Sequence, residues 1–422
     1  MKVVVVGAGS TYTPELIEGV INRQSTFPID DLVLLDIDAD RLDVVGGLAR
    51  RMLLYGDWPG RLTLTGDLDA ATEGADFVLL QIRVGGQATR YVDETLPHRF
   101  GIIGQETTGP GGFAKALRTV PVVLGIAETA ARRSAPGAWI VDFTNPVGIV
   151  TQALVDSGFR AVGLCNVAIG LQRTLADHLE VDPRRVSLEH VGLNHLSWER
   201  AVAVDGTDVL PRLLAEEPEW VADLVNLPVE LVAALGSIPS YYLRYFYLTD
   251  VVLGEQLAGP SRAENVIAIE RDLLEQYRDP NLVAKPRQLE ERGGAFYSEA
   301  AVQLIEGLTN GRGDVQVVNV RNEGAIPDLP ANEVVEIPAT IGAGGIVPLP
   351  LEPLAPELRG LVQRIKAYER LTIEAAIHGD RRAGLLALLG HPLVGPYGAA
   401  APLLDALLAA NRTYLPRFFP DD

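Results

Sequence analysis

Cysteine is almost absent. The single Cys165 among 422 residues rules out an intramolecular disulfide, a cysteine-cluster zinc site and an iron–sulfur centre, and it suits a reducing cytosol. Cations are outnumbered: 36 Lys+Arg against 55 Asp+Glu give a net charge of −19 and a pI near 4.8. With no Lys/Arg run to form a local basic stripe, the field repels a phosphate backbone, and nucleic acid is not an expected partner. Long apolar runs are missing too. Met1 to Val6 is too short for a signal peptide and suits a buried strand. Ala383 to Leu404 carries no Asp, Glu, Lys or Arg, but Pro392, Pro396 and Pro402 prevent it from forming one spanning helix. A soluble, cytoplasmic protein without a membrane partner is expected. No repeat and no low-complexity tract is visible.

What is there is an ordinary globular composition, 47% hydrophobic and 22% charged, on a chain long enough for roughly two to three domains. Val3 to Val6, Leu32 to Leu35, Phe77 to Leu80, Trp139 to Val141 and Ala161 to Leu164 are short runs without a charge, as buried parallel strands require. Between them Asp38 to Leu54 and Phe113 to Arg133 carry helical periodicity, and Pro14 suits a first helical turn. This alternation predicts an α/β fold, a Rossmann-type doubly wound parallel sheet over residues 1–166. Beyond Cys165 the pattern changes to a helix from about Ile169 to Leu179 and strand-like runs Val186 to Val191 and Trp198 to Val204. Helices follow over Glu264 to Tyr277 and Glu357 to Ile377, with strand and loop from Ile337 to Pro353. A C-terminal α+β domain over residues 167–422, for substrate, metal and oligomerisation, is expected.

Gly7-Ala8-Gly9-Ser10 lies between the first strand and a helix, where glycines permit a sharp turn and close approach of a pyrophosphate. Tyr12 stands where a third glycine would be. Asp36 ends the second strand, placed to accept hydrogen bonds from both ribose hydroxyls and to repel a 2′-phosphate, which favours NAD over NADP.

Other residues leave alternatives open. Cys165-Asn166 and His195 both follow strands; one thiolate and one imidazole with substrate oxygens suit Mn, Fe, Co or Ni, while a lone Cys is usually a buried small hydrophobe and a lone His usually a satisfied polar residue. Tyr241 to Tyr247 packs five aromatics into seven residues in a chain that is only 6% aromatic. It reads as a core or subunit contact, or as the source of a base. The long glycine-rich loop after Phe77 to Leu80 carries Arg83, Arg90 and Arg99, either solvated or a clamp for an anionic substrate.

Taken together, Gly7-Ala8-Gly9-Ser10-Thr11-Tyr12-Thr13-Pro14, Gln81-Ile82-Arg83-Val84-Gly85-Gly86, Gly104-Gln105-Glu106-Thr107, Thr144-Asn145-Pro146, Gly163-Leu164-Cys165-Asn166 and Gly192-Leu193-Asn194-His195 resemble glycoside hydrolase family 4, in its 6-phospho-β-glucosidase branch. Arg262-Ala263-Glu264, Glu291-Arg292-Gly293-Gly294 and Tyr414-Leu415-Pro416 extend the likeness over essentially the whole chain. The resemblance implies an NAD- and Mn2+-dependent glycosidase outside the usual two-carboxylate scheme, with a C-terminal half of the lactate/malate dehydrogenase type. It implies oxidation at C3 of the sugar, deprotonation at C2, elimination of the aglycone, addition of water at C1 and return of the hydride.

By the same resemblance Tyr242 is the base, with Tyr241 as the alternative, and Glu106 makes the tyrosine a better base. Cys165 and His195 hold the metal, and Arg90, Asn145 and Arg262 bind the phosphorylated glycoside. The cofactor-binding set is Gly7, Gly9, Ser10, Thr11, Asp36 and Arg83. Asn166 stands where α-glycosidase members carry an acidic aspartate, which reads as β-specificity. Val167-Ala168 departs from a proline common among relatives. A homodimer or homotetramer is implied. The competing readings are an NAD-dependent hydroxy-acid dehydrogenase, a family 4 enzyme for α-linked or unphosphorylated glycosides, and a non-catalytic nucleotide sensor.

Overall fold

The computed structural model describes residues 1–292, 296–311 and 313–420; Gly293 and Gly294 lie outside the described residues. Strands β1 (Lys2–Val6), β2 (Asp31–Leu35), β3 (Arg61–Thr65), β4 (Phe77–Leu80), β5 (Trp139–Asp142) and β6 (Ala161–Gly163) pair in parallel in the order β3-β2-β1-β4-β5-β6. Val3 to Val6, Leu32 to Leu35 and all of β4 are buried, since helices cover both faces of the sheet. Strand β3, Arg-Leu-Thr-Leu-Thr, is not one of the uncharged runs because it is an edge, with polar residues facing out. The strand order reverses between β1 and β4, so a crevice opens at their carboxyl ends, as in dinucleotide-binding sheets.

Three later strands extend this sheet. Strand β11 (Asp314–Arg321) runs antiparallel beside β6, with Asn319 opposite Gly163, and continues into β12 (Val334–Gly342) and β13 (Gly345–Pro348). A second antiparallel sheet holds β7 (Val186–Leu193), β8 (Leu196–Val204), β9 (Thr207–Asp208) and β10 (Ile238–Pro239). The β7–β8 hairpin closes on the two residues Asn194-His195, with His195 at φ +63°, a left-handed conformation histidine adopts more readily than most residues. The main core crosses residue 166, joining Val3 to Val6 with Val318, Val335 and Ile373; a smaller one lies under the second sheet around Leu175, Val202 and Val221. Among the described residues no helix is long and apolar enough to cross a membrane.

The helix Gly109–Arg133 carries the crevice's far wall. It is fixed from beneath by Arg118, whose guanidinium donates to both oxygens of Asp93 at 2.9 and 2.7 Å and to Asn411 at 2.6 Å, all buried. Burial pushes the Asp93 carboxyl up to about 6, even against the guanidinium's pull. Removing the cation strands a buried carboxylate, so Arg118→Met is expected to cost about 3–5 kcal/mol, read as a lower urea midpoint. An unchanged midpoint would show that the pair contributes nothing net.

Candidate active site

A cavity of about 1640 Å3 fills the crevice, more than most single small ligands need. One end is the turn after β1. Gly7 sits at φ +89°, and a Cβ there would lie 2.8 Å from the Gln81 carbonyl oxygen, so only glycine fits. Asp36 Oδ2 accepts the Gly9 N–H at 2.7 Å and Oδ1 the Asp38 N–H at 2.9 Å, which fixes the carboxylate before any ligand arrives. Ser10 lines the cavity beside them. Thr11 does not: it is buried, its carbonyl accepting the Tyr277 hydroxyl at 2.8 Å. Tyr12, in the third-glycine place, lies under the Arg292 guanidinium, 4.6 Å from its ring centre.

A charged wall follows. Glu106 is held by Arg83, by Arg90 Nη2 at 3.2 Å and by Lys115 Nζ at 2.8 Å. Burial would raise its carboxyl, but the three cations together hold it well below the usual range. It is therefore a permanent anion and cannot shuttle a proton at neutral pH. Burial, with Arg83 nearby, pulls Lys115 down to about 7. Arg90 is also anchored to Glu94 at 2.7 Å. Arg262 begins the helix Arg262–Tyr277 and donates to the Glu291 and Arg292 carbonyls, each at 2.9 Å. Arg99 is not on this wall.

Asn145, Asn166, Tyr241 and Tyr242 also line the cavity, while Cys165 and His195 are buried just behind it, 6% and 7% exposed. The Tyr242 ring lies flat on the His195 imidazole, centres 3.6 Å apart and planes 7° from parallel. The two tyrosine rings are 4.3 Å apart. Burial raises both phenols; their mutual hydrogen bond raises Tyr242 further and lowers Tyr241. Asn145 hydrogen-bonds the Tyr297 hydroxyl, and its buried Oδ1 has no partner.

The tautomer of His195 follows from its neighbours. Gln105 Oε1 accepts the backbone N–H groups of Thr107 and Thr108, so that atom must be the oxygen. It also accepts the Thr107 hydroxyl at 2.8 Å. With its proton committed there, Thr107 Oγ1 accepts from His195 Nδ1–H at 2.8 Å, leaving Nε2 with its lone pair. Burial pulls the imidazole down to about 4, so it is neutral near pH 7. Cys165 caps the helix Asn166–His178; burial and the Glu336 carboxylate push its thiol up, while the Val167 and Asn166 N–H groups and the Asn194 amide favour its thiolate.

Beneath this pair lies a buried ionic cluster. His190 Nδ1 meets Glu199 at 2.7 Å and Nε2 meets Glu336 at 3.1 Å, while Asn194 and Asn319 donate to Glu336 at 3.0 and 2.9 Å. Sequence reasoning assigned no role to Lys115, Glu336 or His190. Lys115 and Glu336 are lone charges in apolar runs, Phe113 to Leu117 and Val334 to Ile337, which was the available signal. Nothing in the sequence brought Tyr297 to the site, and Arg292 stood out only as part of the Glu291-Arg292-Gly293-Gly294 motif, with no role attached.

The reversing strand order and the glycine turn define a Rossmann-type dinucleotide-binding fold with a second, antiparallel sheet carrying part of the site. Residues 2–181 match the family 4 glycosyl hydrolases and residues 190–394 the C-terminal domain of that family. The chain belongs to the family 4 glycosyl hydrolases. It is 42% identical to the "Probable 6-phospho-beta-glucosidase" of Bacillus subtilis (strain 168), over 99% of this chain and 98% of that one. The crystal structure of the 6-phospho-beta glucosidase from Thermotoga maritima with manganese, NAD+ and glucose-6-phosphate superposes with a TM-score of 0.92 at 34% identity, covering 98% of this chain and 99% of that one. A 6-phospho-alpha-glucosidase from gut microorganisms, in complex with NAD and glucose-6-phosphate, has a TM-score of 0.90 at 25% identity, covering 99% of each chain. In fold alone the likeness reaches malate dehydrogenase from Salinibacter ruber, with a TM-score of 0.51 at 16% identity over 98% of this chain and 99% of that one. The expected dehydrogenase-like α/β architecture is thereby borne out.

Although burial lowers His190, its two carboxylates override this and raise it to about 10. A raised histidine stabilises fully below its unfolded value of about 6.5 and loses that contribution as pH climbs through about 10. Stability is therefore expected to fall between these limits, and to fall less in His190→Gln, in paired urea titrations at several pH values. Equal slopes would remove His190 from the account.

Proposed function

We propose that the chain hydrolyses 6-phospho-β-glucosides, using bound NAD+ and a divalent cation such as Mn2+, as a cytoplasmic homodimer or homotetramer. The observation that carries this reading is the arrangement at Cys165 and His195: a soft sulfur beside helix N–H groups and an imidazole with Nε2 unprotonated, next to a tyrosine pair and one wall away from the dinucleotide turn. Among the described residues no cluster of three or more His, Cys, Asp or Glu side chains forms a closed metal cage. Two donors leave coordination positions for substrate oxygens, which suits a catalytic rather than a structural ion. When bound, the cation supplies Lewis-acid polarisation of the sugar's C2 and C3 oxygens, and the dinucleotide supplies a reversible hydride acceptor at C3.

The chain's own groups do the rest. Gly7, Gly9 and Ser10 let the dinucleotide approach, and Asp36, pinned by two N–H groups, receives its ribose hydroxyls. The tyrosine pair takes the C2 proton. Tyr242 was the base expected from the resemblance; the hydrogen bond that lowers Tyr241 and raises Tyr242 favours Tyr241 as the hydroxyl that loses its proton. Glu106, fixed as an anion, holds Arg83, Arg90 and Lys115 in place, and Arg90 and Arg262 serve the 6-phosphate by charge-assisted hydrogen bonds. The Asn145 Oδ1, buried without a partner, is ready to accept from a sugar hydroxyl.

Asn166 cannot act as a carboxylic acid, which supports β over α linkage, as does the higher identity to the β-acting relative. The dehydrogenase reading would need a histidine–carboxylate relay on the cavity. Among the described residues the histidine–carboxylate pairs involve His178, His190 and His378, none of which lines it.

The test is nitrophenol release from p-nitrophenyl β-glucoside 6-phosphate, with NAD+, Mn2+ and thiol each supplied or withheld, beside the α anomer and the unphosphorylated sugar. Turnover of the phosphorylated β anomer alone, dependent on all three and without NADH accumulation, is expected; NADH from a hydroxy acid with no glycoside cleaved would overturn the reading. Thr107→Val leaves His195 without its orienting partner and is expected to weaken Mn2+ binding about 10- to 100-fold in calorimetric titration, with the fold's melting temperature nearly unchanged. Tyr241→Phe is expected to slow C2-proton exchange more than Tyr242→Phe does; the reverse ranking would return the base to Tyr242.

A further inference from the structure

The cavity has one wall with no charge on it. The helix Asn166–His178 turns Asn166, Val167, Gly170, Leu171 and Thr174 toward the cavity, positions that share one helical face. From Asn166 to Thr174 this stripe runs about 12 Å away from the Cys165 end. That is well beyond the reach of a single sugar ring. Leu224, Val225 and Pro239 continue the surface. Its one hydroxyl, on Thr174, already donates to the Gly170 carbonyl at 3.0 Å. Gly170 has open space where a Cβ would stand, with no heavy atom within 4 Å.

Two other walls are committed under the proposed function: the glycine turn and Asp36 to the dinucleotide, the arginine and Glu106 wall to the phosphate. We propose that the Val167–Gly170–Leu171–Thr174 stripe is the leaving-group track, that it selects flat apolar (aryl) aglycones over a second sugar, and that Gly170 sets the width it allows. This inference rests on the glycosidase reading above. A glucosyl leaving group would bring several hydroxyls against Val167, Gly170 and Leu171 and a Thr174 hydroxyl already committed to the Gly170 carbonyl, and unpaired polar groups are strongly disfavoured. An aryl ring buries apolar area there and needs no hydrogen bond. Because Gly170 is a helical position facing open space, a larger side chain narrows the track without a clash in the fold.

The experiment compares kcat/KM of the wild-type chain and Gly170→Leu, both supplied with NAD+ and Mn2+, on the 6-phosphates of p-nitrophenyl β-glucoside, methyl β-glucoside and cellobiose phosphorylated on its non-reducing ring. Wild type should prefer the nitrophenyl over the cellobiose substrate after correction for leaving-group pKa with a series of alkyl and aryl glycosides. Gly170→Leu should lose about 10- to 200-fold on the nitrophenyl substrate, mostly in KM, while methyl β-glucoside 6-phosphate stays within about twofold. An equal loss on all three, or no loss on any, overturns the track. Should Gly170→Leu fail to fold, Thr174→Trp, at an exposed position one turn further along, must show the same discrimination. If wild type cleaves none of the phosphorylated glycosides, the glycosidase reading itself falls and the track with it. Cleavage of the methyl substrate without discrimination by either variant removes the track alone.

Discussion

Everything at the reactive end of the cavity depends on one buried cation held between two carboxylates. His190 belongs to β7, Glu199 to β8 and Glu336 to β12, so this cluster bolts the second sheet onto the first. The same Glu336 carboxylate accepts Asn194, which neighbours His195 and hydrogen-bonds Cys165. The relative position of two donors from different sheets is thereby fixed through one side chain. A purely apolar contact between the sheets would tolerate sliding by a few tenths of an ångström. A doubly hydrogen-bonded imidazolium in a dry interior does not, because any displacement exposes uncompensated charge.

The cavity divides its work by polarity. At the sheet's switch point, backbone N–H groups and one aspartate present a neutral-to-negative surface suited to hydroxyl donors. Opposite, three cations converge on Glu106, which keeps like charges from repelling one another while leaving their outward N–H groups arranged together. The tyrosine pair sits between these regions, over an imidazole that burial keeps neutral. A whole-molecule charge of −19 coexists with this wall because the carboxylates are spread over the surface and the wall is internal.

How much of this was legible from residues alone differs by element. The parallel strands were, because uncharged runs such as Val3 to Val6 have no other comfortable place than a sheet covered on both faces. The edge strand Arg61–Thr65 was not, since its alternation is that of any exposed strand or loop. The joining of β11 to β6 could not be read either: it rests on Asn319 meeting Gly163 across 155 intervening positions, and periodicity carries no information about partners. In the site, glycine and aspartate at the ends of strands announced themselves by position. Cys165 and His195 did so only through the combination of motifs. The Glu336 and His190 support was hidden, because a lone charge in an apolar run states that something must neutralise it without saying what.

The glutamine at 105 has a consequence for how this site can change over generations. Its oxygen is chosen by two backbone N–H groups, the Thr107 hydroxyl proton follows that oxygen, and the His195 ring proton follows the hydroxyl. Only the acceptor half of the amide takes part in this relay, so a carboxylate of the same length preserves the logic, whereas any donor at that position reverses it. Drift at a residue that is neither ligand nor base can therefore be silent in one chemical direction and disabling in the other.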